Sequence, residues 1–131
     1  MDTIGRLRLA TGAQLERLHF TDLSSTCPSR IRRRVLHCLT SWRILATLPR
    51  RVGGIRAGST GLVHTLDTAG AWFIRLQATN AGHNTPRRAT QPGAAFTGHT
   101  LAVTELYVQL VEHARAGAFR VAVFDAEPAC W

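Results

Sequence analysis

The stretch PSRIRRRVLHCLTSWRIL, residues 28–45, sets five arginines among hydrophobic residues at helical intervals. Pro28 suits a first helical turn, where a missing amide hydrogen costs nothing, and Ser25 or Thr26 is the expected N-cap ahead of it. The helix is expected to end between Trp42 and Leu45. At about 100° per residue with Ile31 at zero, Trp42, Val35, Leu39 and Cys38 gather on an apolar face centred near 40°. Thr40, Arg33, His37 and Arg30 fall on the opposite side, between roughly 180° and 260°, and Arg34 flanks them. Arg32, near 100°, is expected to run beside the core and carry its charge back to water.

A solvated helix face normally mixes charge signs to gain pairs three or four residues apart. Here no Asp or Glu stands between Leu23 and Asp67. Four arginines between Arg30 and Arg34 therefore repel one another, and an anionic partner relieves that repulsion. The asymmetry extends along the chain. Residues 1–60 hold eleven arginines against three carboxylates, whereas residues 61–131 hold five of each. An excess confined to one half marks a polyanion-binding surface rather than general solubility. Lysine is absent altogether, so the choice of arginine reflects coding bias, and its location carries the argument.

Working outward, Thr11 is the expected cap of a helix through GAQLERLHF, with Leu15 and Leu18 at helical spacing. After the arginine-rich helix the period changes. LATLPRRVGGIRAGSTGLVHTL reads as a β-hairpin with a long basic tip bearing Arg50, Arg51 and Arg56. Asp67 or Thr68 is expected to cap a helix over TAGAWFIRL. Residues 77–96, rich in Gly, Pro, Asn and Thr, read as a linker. Beyond it a helix over GHTLAVTELYVQLVEHARAG, stopped by Gly117, precedes a strand FRVAVF at 119–124.

Helix, turn, helix and hairpin, with the charge in the second helix and the hairpin, is the order of a winged helix-turn-helix. The fold class expected is α+β: a winged helix-turn-helix domain over 1–76, a linker over 77–96 and a helix-strand segment over 97–131. In that architecture residues opening the second helix approach base edges, so Ser29, Arg30 and Arg33 are the candidates for base readout. Arg34 is a candidate phosphate contact. His37 fits a phosphate contact and an ordinary surface position equally well. Arg50, Arg51 and Arg56 would meet the minor groove or the backbone. The expected partner is double-stranded DNA. The apolar surface of the 98–124 segment, too large for a lone helix and strand to bury, further points to a homodimer.

Other classes fit less well. Metal-dependent nuclease chemistry needs converging carboxylates, and beyond the linker only Glu105, Glu112, Asp125 and Glu127 are on offer, with no lysine to assist them. No catalytic residue, metal site or cofactor is expected. Cys27, Cys38 and Cys130 form no paired motif and read as free thiols. No apolar run approaches the roughly 18 residues of a membrane span, and the N-terminus lacks the apolar core of a signal peptide. A cytoplasmic location without membrane association is expected. A protein-interaction module with a basic face remains the alternative.

Four segments in order, TGAQLERLHF, SRIRRRVLHCLTSWRIL, VHTLDTAGAWFI and GHTLAVTELYVQLVEHAR, resemble the replication-relaxation family of plasmid-associated proteins. The resemblance spans most of Arg6 to Arg120. It implies a winged helix-turn-helix and a role in replication or transcription control of mobile elements. Members continue into a larger C-terminal part similar to restriction endonucleases, so a chain ending at Trp131 is expected to be a truncated member or an inactive remnant of such a protein.

Overall fold

A computed structural model describes residues 2–21, 27–51, 61–77 and 92–126, with the backbone alone at Asp2, Arg50 and Arg51. The elements run α1 (Asp2–Leu7), β1 (Ala10–Thr11), α2 (Gly12–His19), α3 (Pro28–Ser41), β2 (Leu45–Arg51), β3 (Leu62–Leu66), α4 (Thr68–Gln77) and α5 (Ala94–Arg115). This is a mixed helix and strand fold around a small antiparallel sheet of order β1-β3-β2. The sequence pattern missed α1 and β1, and a two-residue strand is too short to show alternation.

Local signals explain most boundaries. Thr11 and Gln14 form a capping box: Gln14 N–H donates to Thr11 Oγ1 at 3.2 Å and Thr11 N–H to Gln14 Oε1 at 2.9 Å. Pro28 opens α3, while Ser25 and Thr26 lie outside the described residues. Cys27 occupies the N-cap position and makes no side-chain capping bond. At the other end, Ile44 N–H reaches the Leu39 carbonyl and Arg43 N–H the Thr40 carbonyl, both at 3.0 Å. That is a Schellman turn with Arg43 at φ 57° where glycine is usual. The turn delivers Leu45 straight into β2. Asp67 accepts from Thr68 N–H at 2.6 Å to start α4, and the Ile44 carbonyl accepts from Asp67 N–H at 3.0 Å. Gly70 lets α4 press onto the same turn, since a Cβ there would sit 2.2 Å from the Ile44 oxygen.

The sheet separates two cores. Leu45 pairs with Leu66, and His64 pairs with both Thr47 and Ala10, so these residues share a face. On that side Ala10 and Leu45 join Ile4, Leu15 and Leu36, with Leu39 and Leu66 packed against them. Leu48 and Val63, on the opposite face, meet Leu9 and Leu101. The second core is closed by α5, whose buried stripe includes Thr97, Thr100, Leu101, Thr104 and Val108. Thr104 donates to the Leu9 carbonyl at 2.7 Å, and the Gln14 amide donates to the Leu101 carbonyl at 3.2 Å and to Glu105 at 3.0 Å. Arg17 then grips Glu105 and Glu112 together, both at 2.5 Å. The segment following residues 78–91 thus folds back on its own domain through its inner stripe.

Two expectations need correction. Residues 119–124 form no strand: they pair with neither edge strand of the sheet, β1 or the seven-residue β2. The chain instead runs back along α5, where Phe124 meets Tyr107 with ring centroids 4.9 Å apart and gives its carbonyl to Arg6 at 2.6 Å. The core face of α3 is also rotated from the expected one. Arg32 and Leu36 are its buried residues, whereas Trp42 is 66% exposed and Val35 37%. Arg32 does not reach water. It is 1% exposed, paired with Glu16 of α2, and donates to the Gly12 carbonyl.

The pair fixes an order of mutational effects. Glu16→Ala leaves a buried guanidinium uncompensated and should cost about 3 kcal/mol. Arg32→Met removes the buried charge, and Glu16, 31% exposed at its side chain, regains water, so that loss should stay near 1 kcal/mol. Urea unfolding of both variants checks the order; a larger loss for Arg32→Met overturns it.

Candidate nucleic-acid interface

With Arg32, Leu36 and Leu39 turned inward, the remaining circumference of α3 is set. Arg30, Arg33, Arg34 and His37 are all exposed, and Ser29 is half-buried. The structure therefore brings these five candidate residues onto one helix, four of them on its outer side. Ser29 Oγ lies 3.3 Å from Cys27 Sγ, a contact that, with the Arg30 backbone amide, holds the thiol below its usual range. Arg50 and Arg51 stand at the end of β2, where only their backbone is described, and Arg56 lies outside the described residues.

The carboxylates are spent elsewhere. Glu16 is committed to Arg32, Asp67 to Arg43 at 3.3 Å, and Glu105 and Glu112 to Arg17. Among the described residues, none pairs with Arg30, Arg33 or Arg34. The two acids of α5 raise the Arg17 pKa still further. Arg17 in turn holds Glu112 below the usual carboxylate range; Glu105 is held low by Arg17 and Gln14 against the desolvation that pushes it up. The four pairs join three arginines to four carboxylates, all of them away from the outer face of α3. Two arginines that are not ion-paired are also occupied: Arg115 donates to the Arg17 and Leu18 carbonyls, and Arg8 lies 4.9 Å from the Phe96 ring centre.

Beside this face lies a cleft of about 190 Å³ between α3 and the β2–β3 hairpin, bordered by Arg33, His37, Thr40, Thr47 and His64. His64 went unnoticed in the sequence because a polar residue in the middle of a five-residue strand looks like part of its solvent side. It is 3% exposed, with Nδ1 3.5 Å from Thr47 Oγ1. Burial, then the charge of Arg32, pushes its pKa down to about 4. The Arg17 clamp was missed for a different reason: Glu105 and Glu112 look like the wet side of an isolated helix until α2 is placed beside them.

Among the described residues no group of three or more His, Cys, Asp or Glu side chains could hold a metal ion, and no helix is long and apolar enough to cross a membrane. Cys27 and Cys38 are free thiols. What the site offers is fixed positive charge and hydrogen-bond donors, a surface for an anion.

The buried histidine has a pH signature. An unfolded histidine binds a proton below its ordinary 6.5, while folded His64 refuses one until about 4. The unfolded state therefore holds more protons across that window, and stability should fall as pH drops from 6.5 towards 4. His19, whose partly shielded ring is lowered first of all by desolvation, adds in the same direction. Glu105, Glu112 and Asp67, all lowered, act only below their ordinary range. Thermal melts of the parent and His64→Gln between pH 7 and 4.5 should show a flatter decline in the variant; equal slopes would exclude a buried neutral His64.

No curated protein and no solved structure matches the chain. The sequence model of the replication-relaxation family matches residues 1–131, the whole length, and the chain belongs to that family.

Proposed function

We propose that this protein is a winged helix-turn-helix DNA-binding protein, a non-enzymatic regulator of replication or transcription on a plasmid or other mobile element. Family membership suggests the replication role. The element order supports the winged reading: α2 and α3 form the helix pair, β1 joins the sheet beside β3, and β2–β3 form the wing. The observation that carries the DNA reading is the basic outer face of α3, which no described carboxylate neutralises although four of them pair with arginines elsewhere. Phosphates supply the missing counter-charge, and counterion release makes the association strongly salt-dependent. On this reading α3 enters the major groove and Arg50, Arg51 and Arg56 ride with the wing along the backbone.

Changing Arg30 and Arg34 together to Ala should weaken duplex binding by about tenfold or more per arginine and lower the slope of affinity against salt, with circular dichroism unchanged. Unaltered affinity across a salt series would remove α3 from the interface. Retention on an acidic protein with no duplex binding would favour an interaction module instead.

A homodimer is proposed on the outer side of the 98–124 segment, because the inner stripe of α5 is occupied by its own domain. Leu106, Phe119 and Val123 are exposed there, at 52%, 46% and 75%. A two-fold pair would present two α3 helices to successive grooves. Sedimentation equilibrium should give the dimer mass, reduced to the monomer by Leu106→Glu; a parent already monomeric at working concentration ends the dimer proposal.

A further inference from the structure

The cleft between α3 and the hairpin divides the arginines of α3 into two groups. Arg33, His37 and Thr40, spaced by four and three residues, form the flank of the helix that faces the sheet and border the cleft. Arg30 and Arg34 do not line it. Across the cleft, Thr47 of β2 and His64 of β3 are directly opposed in the antiparallel ladder, so their side chains stand together on the α3 side of the sheet. Among the described residues no carboxylate lines this cleft.

The hydrogen bonds sort its donors. Thr40 donates its hydroxyl hydrogen back to the Leu36 carbonyl at 2.8 Å, so that hydrogen is spent. His64 Nε2 is buried and has no hydrogen-bond partner. An N–H there would be an orphaned donor in the field of the Arg32 guanidinium, and a bare lone pair costs less. The proton therefore belongs on Nδ1, from which it is donated to Thr47 Oγ1 at 3.5 Å. That leaves the O–H of Thr47, an exposed residue, free to donate outward. His64 is a positioning residue in this scheme, acting through the threonine hydroxyl. The cleft thus presents the Arg33 guanidinium, an imidazole and a hydroxyl hydrogen, with no described carboxylate to compete.

We propose that this cleft seats one phosphodiester group of duplex DNA, held by Arg33 and His37 with the Thr47 hydroxyl as third donor. One strand's backbone then passes between α3 and the hairpin, leaving Arg30 for base edges and Arg34 for a neighbouring phosphate. The assignment rests on the DNA-binding reading above and moves Arg33 from base readout to backbone contact. A repeated anion suits the place better than a single free one, because the unneutralised charge continues past the cleft along α3 through Arg30 and Arg34.

The test uses a duplex recovered by selection from genomic fragments and rebuilt with one neutral methylphosphonate linkage at a time. In the parent protein, one linkage beside the major-groove site should lose about tenfold in affinity when neutralised, equivalent to about 1.4 kcal/mol. In Arg33→Gln that linkage should become insensitive while the others keep their effect, and base preference should be unchanged. Thr47→Val, a substitution a strand accommodates, should lower the sensitivity at the same linkage, and Thr47→Ser should restore it. Full sensitivity at every linkage in Arg33→Gln, or a changed base preference with the same set of sensitive linkages, overturns the seat while leaving DNA binding intact. Competition by inorganic phosphate at the concentration of duplex phosphate would assign the cleft to a free anion and overturn it too. A parent that binds no duplex at all overturns the reading beneath it and the seat with it.

Discussion

The buried pair between Arg32 and Glu16 governs how the basic helix is presented. A guanidinium that is 1% exposed survives only with a carboxylate in place. Glu16 on α2 supplies the charge and the Gly12 carbonyl accepts from the same nitrogen. Because both partners lie on α2, the pair sets the rotation of α3 about its axis as well as its distance. Turned this way, Leu36 and Leu39 enter the core with Ile4, Leu15 and Leu45, and Arg30, Arg33, Arg34 and His37 face outward. A hydrophobic residue at 32 would allow the same packing, but it would not tell one rotation of the helix from its neighbours as sharply. Val35 and Trp42, left exposed, show how close an alternative apolar face lies.

The other ion pairs distribute charge rather than set orientation. Arg17 binds two carboxylates of α5, and its side chain and theirs are each more than a third exposed, so solvent screening keeps the energetic return small. The buried part of that interface does more. Thr104, fully buried, donates to the Leu9 carbonyl, and Leu101 packs on Leu48 and Val63 across the sheet. The second effect of the clamp is to use up negative charge at the back of the molecule. Four of the described carboxylates are engaged by arginines away from the outer face of α3, so none of the four offsets the arginines of that face. The same helix pair and sheet then form the cleft beside Arg33, so the presentation of charge and the shape that receives the proposed backbone depend on one packing arrangement.

Much of this was legible in the chain itself. The order of helix, helix, hairpin and helix, the capping of α2 by Thr11, the entry of α3 at Pro28, the cap at Asp67 and the stop at Gly117, with φ 84°, all follow from local chemistry. So does the basic character of the α3 surface, because an uninterrupted absence of Asp and Glu from 24 to 66 needs no coordinates to be seen. These features depend on residues within one turn or one hairpin of each other.

What only the tertiary structure decided depends on partners far apart in sequence. Periodicity counts arginine as polar and put Arg32 at the margin of the core; sixteen residues separate it from the carboxylate that lets it be buried. Alternation made FRVAVF a strand, but a strand exists only where an edge has free hydrogen bonds, and no edge of this sheet takes it. The threonine stripe of α5 looked indifferent until the residue before β1 offered the Leu9 carbonyl, 95 residues away. His64 gave no sign of burial until α3 covered its face of the sheet. Composition and period report what each residue prefers in water; the fold is settled by which distant group meets it once water is gone.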